Sequence, residues 1–492
     1  MQKDIFFDIF YDKESEALSG FARVLIFEMI FLVNFFVPKG LTDEIISDII
    51  CDSWNDIWDE SRKHFFKIYY KGGLLMSRTN KKNYKIVKYC ENNKNSKKVY
   101  PLLTNVPKSL NFEDIKNIGN EDLRNCNCVL VSSPGSSLSK CGLGEGIVWK
   151  CSECHHSYNP LLIAPENRET CPVCGGTRRT ETPSSLLVYW LNILQNYQPN
   201  LMIFENVAGF LSRKHKDNFD LIVNEIRSYG YNVYYRKLNS ADYGVPLNCE
   251  RVVMVCILSS VDNGKFRFPR PVKNTPAIND YLDDCSYKFE LTDATVAIDK
   301  KICDYIVPAI IRDMDKILTT NKPIFNMECE TGFSDHKIGI KKVPTLRASN
   351  PSTIVLQTLD TECGRKYYIK RLSAKESFKL VGFSEADFYS AWSVCSLPQI
   401  YKQAANTIPV NMIYKVFESL YLAMPYLFND LKIVSLFSGV GSMEKALDRL
   451  YKVINLTEMI EKQNSTDTVD IVIDNTMFLL AQLLKNRHNR VR

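Results

Sequence analysis

Between residues 102 and 258, short apolar runs alternate with segments whose apolar residues recur at helical spacing. The runs have the length and composition of buried strands, and the segments between them are typical of amphipathic helices. We predict strands at 128–131, 201–204 and 251–258, and helices at 186–194 and 218–229. Strands that alternate with helices predict a parallel sheet covered by helices on both faces.

Outside this region the pattern changes. Residues 1–60 show helical spacing, with Thr42 as a candidate N-cap, and residues 76–100, rich in Lys, Asn and Tyr, predict an exposed helix and loop. Residues 260–345 show little periodicity, which indicates a separate lobe. Later elements are predicted as helices at 373–381 and 411–422, a strand at 431–437 and a helix at 443–451.

The composition is that of an ordinary soluble globular protein, with 45% apolar and 24% charged residues, and the net charge of +6 indicates nucleic-acid binding only weakly. Because residues 1–12 lack the basic start of a signal peptide, we expect an intracellular location, cytoplasmic or nuclear according to the host. In that reducing compartment, paired cysteines indicate metal rather than disulfides. The apolar stretch 21–37 is interrupted by Arg23, Glu28 and Asn34, which favours a buried helix over a membrane segment.

Four cysteines form two Cys-x2-Cys pairs, Cys151 with Cys154 and Cys171 with Cys174. Each pair offers two thiolates on one side of a tight turn, and two pairs complete a tetrahedral zinc site. Four thiolates leave no position for water, so we predict a structural zinc in a ribbon over residues 148–178. The flanking basic residues are Lys150, Arg178 and Arg179. Two roles for the ribbon remain open. It contacts phosphate groups or a partner protein, or it only stabilises the conformation of a long loop.

A glycine turn follows the predicted strand at 431–437 and contains Gly439 and Gly441. A strand, a Gly-x-Gly turn and a helix N-terminus together allow a nucleotide-like ligand to approach the backbone, although many such turns keep glycine for packing alone. Glu458 lies near the end of a further predicted strand. Its carboxylate either accepts hydrogen bonds from ribose hydroxyl groups or is a surface acid.

Five segments taken together resemble motifs of the DNA cytosine-5 methyltransferase family. They are LFSGVG at 436–441 (motif I), FENV at 204–207 (motif VI), ADYGVPLNCERV at 241–252 (motif VIII), RLSAKE and LVGF within 371–383 (motif IX) and QAANTIPV at 403–410 (motif X). A sixth segment, NFEDI at 111–115, is similar to motif III. The resemblance extends over residues 102–442.

This resemblance implies an α/β, Rossmann-like fold that uses S-adenosylmethionine, with a small target-recognition lobe and the inserted zinc ribbon. It also implies double-stranded DNA as the partner and no association with a membrane. Carried over motif by motif, the cofactor-binding candidates are Phe437, Gly439, Gly441, Glu458, Asp114 and Asn406. The base-pocket candidates are Pro134, Glu205 and Arg251.

The domain division also follows from the resemblance. We predict an N-terminal helical extension (1–75), a first part of the methyltransferase core (76–259), a target-recognition lobe (260–365) and a second part of the core (366–492). The segment 343–349 resembles the end of the family's recognition region. Positive charge in and after this region comes from Lys337, Lys341, Lys342, Arg347, Arg365 and Lys366.

The order of the motifs departs from that of typical members, in which motif I comes first; here it follows motif X. This order predicts a circular permutation, which proteins tolerate where the original termini lie close together. The alternative is that residues 430–492 begin a second, truncated copy. The likeness of 111–115 to motif III reduces the need for that alternative, because the remaining core is then present once.

The resemblance breaks at the residue on which catalysis depends. The segment SSPGSSLS at 132–139 aligns with motif IV, where the family has Pro-Cys, and Gly135 takes the place of the cysteine. In the family, this thiolate attacks C6 of an extruded cytosine so that C5 accepts the methyl group, while a glutamate matching Glu205 holds N3 protonated. Because glycine has no side chain to form that bond, we expect turnover to be impaired.

Two other motifs also depart from the family pattern. In motif VIII, Leu247 and Cys249 replace the usual glutamine and first arginine, and only Arg251 remains. In motif X, Ala405 replaces the usual glycine before Asn406. The thiols considered as substitutes for the missing nucleophile are Cys126, Cys128 and Cys141, and we expect each to lie too far from the pocket.

Three functions remain open. The first is a DNA cytosine-5 methyltransferase with impaired turnover. The second is a non-catalytic protein on the same scaffold that binds DNA or joins a complex, including one with an active methyltransferase subunit. The third is an active enzyme with a displaced nucleophile.

Overall fold

The computed structural model describes most of the chain between Tyr84 and Gln463. The described residues are 84–121, 123–139, 144–272, 276, 278–283, 289–290, 325–328, 338–340, 343, 345–346, 353–361 and 364–463. The chain groups into two compact units, Asn83–Leu450 and a second made of Met1–Lys82 with Tyr451–Arg492. The predicted extension over 1–75, its apolar stretch 21–37 and Cys141 lie outside the described residues. Among the described helices, none combines the length and apolar character that crossing a bilayer requires.

Strands and helices alternate through much of the described chain. The strands are β1 (Tyr84–Cys90), β2 (Cys128–Ser132), β3 (Trp149–Cys151), β4 (Ser157–Tyr158), β5 (Arg179–Glu181), β6 (Leu201–Val207), β7 (Tyr231–Asn239), β8 (Glu250–Leu258), β9 (Phe289–Glu290), β10 (Phe325–Glu328), β11 (Ile338–Ile340), β12 (Thr353–Thr361), β13 (Gly364–Arg371) and β14 (Leu431–Leu436). The α-helices are α1 (Ser96–Thr104), α2 (Leu187–Tyr197), α3 (Lys216–Ser228), α4 (Ala374–Leu380), α5 (Glu385–Trp392), α6 (Leu397–Asn406), α7 (Val410–Ala423) and α8 (Ser442–Gln463).

The main sheet has six strands in the order β1-β14-β2-β6-β8-β7. The first four are parallel to one another, and β14, which comes last in the chain, lies between β1 and β2. The prediction of a wholly parallel sheet is wrong for β8, which runs antiparallel to both β6 and β7. The connection from Asn239 to Glu250 is too short to contain a crossover helix, so β7 and β8 pair as antiparallel neighbours.

The central strands are apolar on both faces because helices cover the sheet. The four apolar residues at the start of β2 and those of β6 are almost fully buried, and the side chains of α2 and α3 pack against them in one core. Trp190 of α2 stacks at a tilt on Phe204 of β6 with ring centroids 5.3 Å apart. The strands and helices predicted between 128 and 258, and those at 373–381, 411–422 and 431–437, are confirmed to within a few residues.

The exposed helix and loop predicted at 76–100 are wrong from Tyr84 onward. That segment contains β1 and the start of α1, and β1 pairs with β14 along its length. The lysines of β1 interrupt its apolar pattern, so the sequence did not predict a strand there. The outermost strand of a sheet tolerates charged side chains, and β1 is the outermost strand on its side. Lys88, for example, forms an ion pair with Glu121 at 2.6 Å. The strand β7 at the opposite edge was missed because most of its side chains are partly or fully exposed.

Two smaller sheets accompany the main sheet. A five-stranded sheet in the order β11-β10-β12-β13-β9, antiparallel throughout, lies within residues 289–371, and its first three strands along the chain fall in the range 260–345 that shows little periodicity. A three-stranded sheet in the order β4-β3-β5 carries the four paired cysteines and extends to Glu181, slightly beyond the predicted ribbon boundary.

Candidate active site

Strand direction brings the predicted functional residues together at the carboxyl ends of the parallel strands in the main sheet. The parallel strands β1, β14, β2 and β6 are adjacent, so their carboxyl ends lie side by side, where α/β sheets bind ligands. Glu91 follows β1, the glycine turn follows β14, residues 132–135 end β2, and Glu205 lies near the end of β6. Since neighbouring strands are about 4.8 Å apart, β14 and β6 lie roughly 10 Å from each other across β2.

The glycine turn is tied to the end of β1. The backbone N–H of Gly439 donates a hydrogen bond to Oε2 of Glu91 over 2.7 Å, and the N–H of Ser438 donates to the carbonyl of Cys90 over 3.3 Å. The Oε1 atom of Glu91 accepts a hydrogen bond from the N–H of Asn93 over 2.8 Å. Burial raises the pKa of Glu91, while the backbone donors favour its ionised form. A buried carboxyl group therefore lies directly beside the turn.

The two glycines of the turn have different surroundings. Gly441 has a φ of +85°, and a Cβ atom there would lie 2.4 Å from Cγ2 of Thr104 in α1, so only glycine allows this close packing. Gly439 has a φ of +57°, and no described atom lies within 4 Å of where its Cβ would be. Phe437, which precedes them, is half-buried and also has a positive φ, +53°. The turn is thus packed against α1 at Gly441 and open at Gly439.

The segment that resembles motif III runs beside this turn. The side chain of Asn111 accepts a hydrogen bond from the N–H of Glu91 over 3.1 Å and donates one to the carbonyl of Glu91 over 2.9 Å. Asp114, three residues further on, is exposed, and its carboxylate accepts from the N–H of Lys116 over 3.0 Å. The structure therefore brings Asp114 to the same edge of the sheet as Glu91.

The helix that ends at Asn406 is also joined to this region. The side-chain amide of Gln403 donates to the sulfur of Cys395 over 3.9 Å, and the thiol of Cys395 donates to the carbonyl of Asn95 over 3.8 Å. Asn406 itself is exposed. The Oε1 atom of Gln403 is buried and has no hydrogen-bond partner in the described part of the chain. These contacts link the motif X segment to the loop that follows Glu91.

The strand predicted to end near Glu458 is wrong. Helix α8 continues without interruption from Ser442 to Gln463, so Glu458 lies about four turns past the start of a helix. The acid that follows a strand beside the glycine turn is Glu91, which the sequence analysis did not identify. Its signal was the group of apolar residues Tyr84, Ile86, Tyr89 and Cys90 that ends directly before an acidic residue.

Glu205 is the centre of a buried polar cluster. Its Oε1 forms an ion pair with Nε of Arg251 at 2.9 Å, and its Oε2 accepts a hydrogen bond from the hydroxyl of Ser132 over 2.6 Å. Strand register explains the cluster: Ser132 pairs directly with Glu205, and Arg251 lies opposite Val207, two residues further along β6 on the same face. The structure thus brings Glu205 and Arg251 together as predicted and adds Ser132.

Burial controls the protonation of this cluster. Glu205 is 5% exposed and Arg251 8%. Burial raises the pKa of Glu205, and the charge of Arg251 and the hydroxyl of Ser132 offset part of that rise. A carboxyl group with a raised pKa keeps its proton to higher pH and can donate a hydrogen bond to an acceptor such as a pyrimidine nitrogen.

The space beside Gly135 is filled. Gly135 has a φ of −108°, which any residue adopts, and it follows the half-buried Pro134. A Cβ atom at Gly135 would lie 2.6 Å from Oδ1 of Asn206 and 2.9 Å from both methyl groups of Val207. Asn206 is held in place because its Nδ2 donates to the carbonyl of Ser133 over 3.2 Å. The side chains that follow Glu205 therefore occupy the place of a side chain at 135.

Two of the thiols considered as substitutes, Cys126 and Cys128, lie within the described residues. They are at the amino end of β2, away from the carboxyl ends where the candidate site lies. Cys128 begins β2, about 13 Å from Ser132 at its end, and the thiol of Cys126 donates to the carbonyl of Cys128 over 3.1 Å. Burial raises the pKa of Cys126 to about 11, which disfavours the reactive thiolate. Cys249, which the sequence analysis treated only as a replaced arginine, lies in hydrogen-bonding reach of Arg251. Burial raises the pKa of the Cys249 thiol as well.

The four paired cysteines converge at the tip of the small sheet. Their Sγ atoms all lie within 4.8 Å of one another. Two of the separations, Cys151 to Cys174 and Cys154 to Cys171, are 3.6 Å. Tetrahedral zinc with Zn–S bonds of about 2.3 Å requires sulfur separations of about 3.8 Å, so the donor set fits the metal in number, chemistry and spacing.

The side chain of Arg179 is enclosed within this small sheet. The guanidinium of Arg179 lies 3.8 Å from the ring centroid of Trp149 and bonds Glu169 at 2.5 Å and Glu181 at 2.9 Å. The expectation that Arg179 is available to phosphate is therefore wrong, since its side chain is 9% exposed and fully engaged. Lys150 and Arg178 are exposed.

The hydroxyl of Thr182 accepts from the N–H of Val148 over 3.1 Å and donates to the carbonyl of Gly146 over 2.9 Å. The N–H of Gly146 in turn donates to the carbonyl of Ser137 over 3.1 Å. The sheet thus contacts the loop that follows Gly135.

Six basic residues lie in and after the region assigned to target recognition. Lys337, Lys341, Lys342 and Arg347 lie outside the described residues, and Arg365 and Lys366 are described as backbone of β13 only. The segment at 343–349 returns to the main domain, where Val343 exchanges backbone hydrogen bonds with Pro246 and Asn248 at 2.7 and 2.6 Å. The five-stranded sheet is thereby joined to the loop before Cys249.

Comparison with known proteins adds independent findings. The sequence profile of the family described as C-5 cytosine-specific DNA methylase matches residues 173–422, a span that contains Glu205 and Arg251 but neither Gly135 nor the glycine turn. The type II methyltransferase M2.ScrFI of Lactococcus lactis subsp. cremoris is 26% identical over 314 residues, covering 63% of this chain and 71% of that protein.

The orphan methyltransferase M.SPBetaI of Bacillus phage SPbeta is 23% identical over 413 residues, covering 69% of this chain and 92% of that protein. Among solved structures, the Dnmt2 methyltransferase of S. pombe is similar at 16% identity, covering 69% of this chain and 90% of that one, with a TM-score of 0.39.

Proposed function

Because the chain belongs to the C-5 cytosine-specific DNA methylase family, we propose that it is a DNA cytosine-5 methyltransferase scaffold whose turnover is impaired at Gly135. The observation that carries this proposal is the buried cluster of Glu205, Arg251 and Ser132, which lies two strands from the glycine turn. The type II and orphan methyltransferases to which the chain is similar support double-stranded DNA as its partner.

The residues at the glycine turn fit S-adenosylmethionine as cofactor. When bound, this cofactor supplies an activated methyl group. Gly439 leaves open backbone beside the turn, and Glu91 offers a buried carboxyl group at the position from which a strand-end acid reaches ribose hydroxyls. Phe437, Gly441, Asp114 and Asn406 remain candidates for the rest of this site, and Glu91 takes the role first assigned to Glu458.

The base pocket retains residues that can hydrogen-bond to cytosine but lacks the nucleophile for the covalent step. Burial raises the pKa of Glu205, so its protonated form can donate a hydrogen bond to N3 of an extruded cytosine, and Arg251 anchors the carboxyl group. Gly135 has no atom that can bond to C6, so C5 stays a poor nucleophile. Cys249 does not replace the missing group, because it lies on the side of Glu205 and Arg251, whereas C6 is across the ring from N3.

We further infer that the chain is circularly permuted. β14 lies between β1 and β2, at the centre of the described parallel strands, although it follows all the other strands in sequence. A truncated second copy would not be expected to complete the first copy's sheet and to pair with Glu91 through its turn. We also propose that Cys151, Cys154, Cys171 and Cys174 hold a structural zinc ion, and that residues 260–365 recognise the target.

A second function, a non-catalytic protein that binds DNA or a methyltransferase partner, is favoured by one observation. The side chains of Asn206 and Val207 fill the space beside Gly135, so the pocket is packed for the absence of a nucleophile. Such a protein would bind an extruded cytosine without modifying it.

Methyl transfer separates these functions. The purified chain is incubated with S-adenosylmethionine labelled in its methyl group and with DNA of mixed sequence, alongside Gly135→Cys/Val207→Ala and the same variant with Glu205→Gln added. We expect transfer only with Gly135→Cys/Val207→Ala, and loss of that transfer when Glu205 is also replaced. Salt-dependent DNA binding with no transfer by any variant would favour the non-catalytic function. Transfer by the unaltered chain would overturn the proposal and support a displaced nucleophile.

A further inference from the structure

We propose that Ser132 is a positioning residue for Glu205, holding the carboxyl group in the one orientation that recognises cytosine. The inference rests on the proposed function, since it names a residue of the same base pocket. Ser132 belongs to the segment aligned with motif IV, but neither its type nor its position suggested a role before its contacts were known.

The contact is built by the sheet itself. Ser132 and Glu205 are register partners on the adjacent parallel strands β2 and β6, so their side chains leave the sheet on the same face. The hydroxyl of Ser132 donates to Oε2 of Glu205 over 2.6 Å, while Nε of Arg251 holds Oε1 at 2.9 Å. Each carboxyl oxygen therefore has its own partner, from a different strand.

Two hydrogen-bond partners fix the orientation of the Glu205 carboxyl group, which a single partner would leave free to rotate. The terminal torsion of a glutamate is broad, so a carboxyl group held only through Oε1 still rotates about its last bond. The contact with Ser132 removes that rotation and fixes the plane of the group. Both contacts are made to acceptor sites of the carboxyl oxygens, so in the protonated form the O–H remains available to donate to a base. Ser132 is also less buried than Glu205.

The neighbouring residue supplies a matched control. Ser133 has the same side chain, and its Oγ is buried and makes no hydrogen bond within the described part of the chain. Ser132→Ala and Ser133→Ala therefore delete the same atom one residue apart, and only the first removes a contact with Glu205. The other groups that face Glu205 are Arg251 and Cys249, both near the start of β8, and both variants leave them unchanged.

The first experiment measures base recognition. Fluorescence anisotropy gives the affinity of the full chain for two duplexes that carry either cytosine or thymine opposite an abasic site, because an unpaired base is readily extruded. Cytosine presents an acceptor at N3 and thymine a donor, so a correctly oriented neutral Glu205 prefers cytosine. We expect Ser132→Ala to lower this preference about tenfold, the effect of one hydrogen bond to a carboxyl group, and Ser133→Ala to leave it within about twofold.

The second experiment needs no DNA. The hydroxyl of Ser132 favours the ionised form of Glu205, so its removal should move the pH-dependent change in Tm that belongs to Glu205 to higher pH. Glu205→Gln identifies that change by abolishing it. A shifted profile in Ser132→Ala but not in Ser133→Ala supports the positioning role.

The outcomes of the two experiments are distinct. Equal behaviour of the two serine variants in both measurements overturns the inference. A shifted Tm profile together with no cytosine preference in the unaltered chain supports the contact but overturns the proposed function. A full cytosine preference in Ser132→Ala, with the profile shifted, overturns the positioning role while leaving the base pocket intact.

Discussion

The backbone N–H of Gly439 donates a hydrogen bond to Oε2 of Glu91 over 2.7 Å, joining residues 348 positions apart in the chain. The contact places a turn from the end of the described chain against the strand at its beginning. It also accounts for the position of β14 between β1 and β2, because the turn can reach Glu91 only from the neighbouring strand. The account of a shared cofactor site rests on this contact.

Replacing Glu91 tests that site. Glu91→Gln removes the charge but keeps the shape, and we expect S-adenosylmethionine to bind about tenfold more weakly because a charged acceptor is lost. Isothermal titration calorimetry measures the change. Glu113→Gln is the control, since the Glu113 side chain is exposed and forms a surface ion pair with Lys97. Equal affinities of the two variants would remove Glu91 from the cofactor site.

The packing of the glycine turn gives a second prediction. Gly441→Ala places a Cβ atom 2.4 Å from Cγ2 of Thr104 at a positive φ, so we expect the free energy of unfolding to fall by about 2 kcal/mol or more. Thr104→Ser removes the clashing methyl group and keeps the hydroxyl that donates to the carbonyl of Tyr100. Urea unfolding should show partial recovery in the double variant. No recovery would place the strain elsewhere than at Thr104.

The four-cysteine site predicts a bound metal. Elemental analysis of the purified protein should find about one zinc per chain, which Cys154→Ser loses and Cys126→Ser retains. Removal of zinc by a chelator should lower Tm and change the fluorescence of the buried Trp149, because the proposed ligand Cys151 lies two residues along the same strand. A protein that contains no zinc and is insensitive to chelation would contradict the assignment.

Glu444 predicts a pH dependence of stability. Its side chain is 2% exposed, and its Oε1 accepts a hydrogen bond from the hydroxyl of Tyr100 over 2.9 Å. Burial raises the pKa of Glu444 in the folded state above its value in the unfolded chain. The stability contributed by the neutral form is therefore fully present below the unfolded pKa and is lost as pH rises towards the folded pKa.

Glu444→Gln cannot ionise, and its Oε1 can still accept from Tyr100. The free energy of unfolding should therefore fall less between pH 4 and pH 7 in Glu444→Gln than in the unaltered protein. Parallel pH profiles for the two proteins would show that the two states bind the proton of Glu444 equally.

The sequence predicts the centre of this fold better than its edges. The strands β2, β6 and β14 are continuous apolar runs, and a strand buried on both faces has no other composition. The outer strands β1 and β7 carry charged and exposed side chains, so their periodicity was hidden, and with β1 the acid Glu91 was missed.

The sequence also predicts only some of the residues of the candidate site. Glu205, Arg251 and the glycines were found because residue type and spacing reveal them. The roles of Ser132 and Arg179 were not, because register and stacking between distant segments decide what those side chains contact. Position 135 was predicted from alignment, but the filling of its space by Asn206 and Val207 is visible only in three dimensions.

We propose that no thiol of this chain bonds to the extruded base, and covalent trapping examines that bond itself. DNA of mixed sequence is prepared with 5-fluorocytosine in place of cytosine, because fluorine at C5 prevents release of an adduct formed at C6. The chain is incubated with this DNA and S-adenosylmethionine, then denatured and resolved by size. Gly135→Cys/Val207→Ala supplies the thiol and removes the two Val207 methyl groups that would lie 2.9 Å from its Cβ atom.

We predict that the unaltered chain forms no adduct that survives denaturation and that the double variant forms one. An adduct formed by the unaltered chain would contradict the account, and its loss in Cys249→Ser would identify the nucleophile.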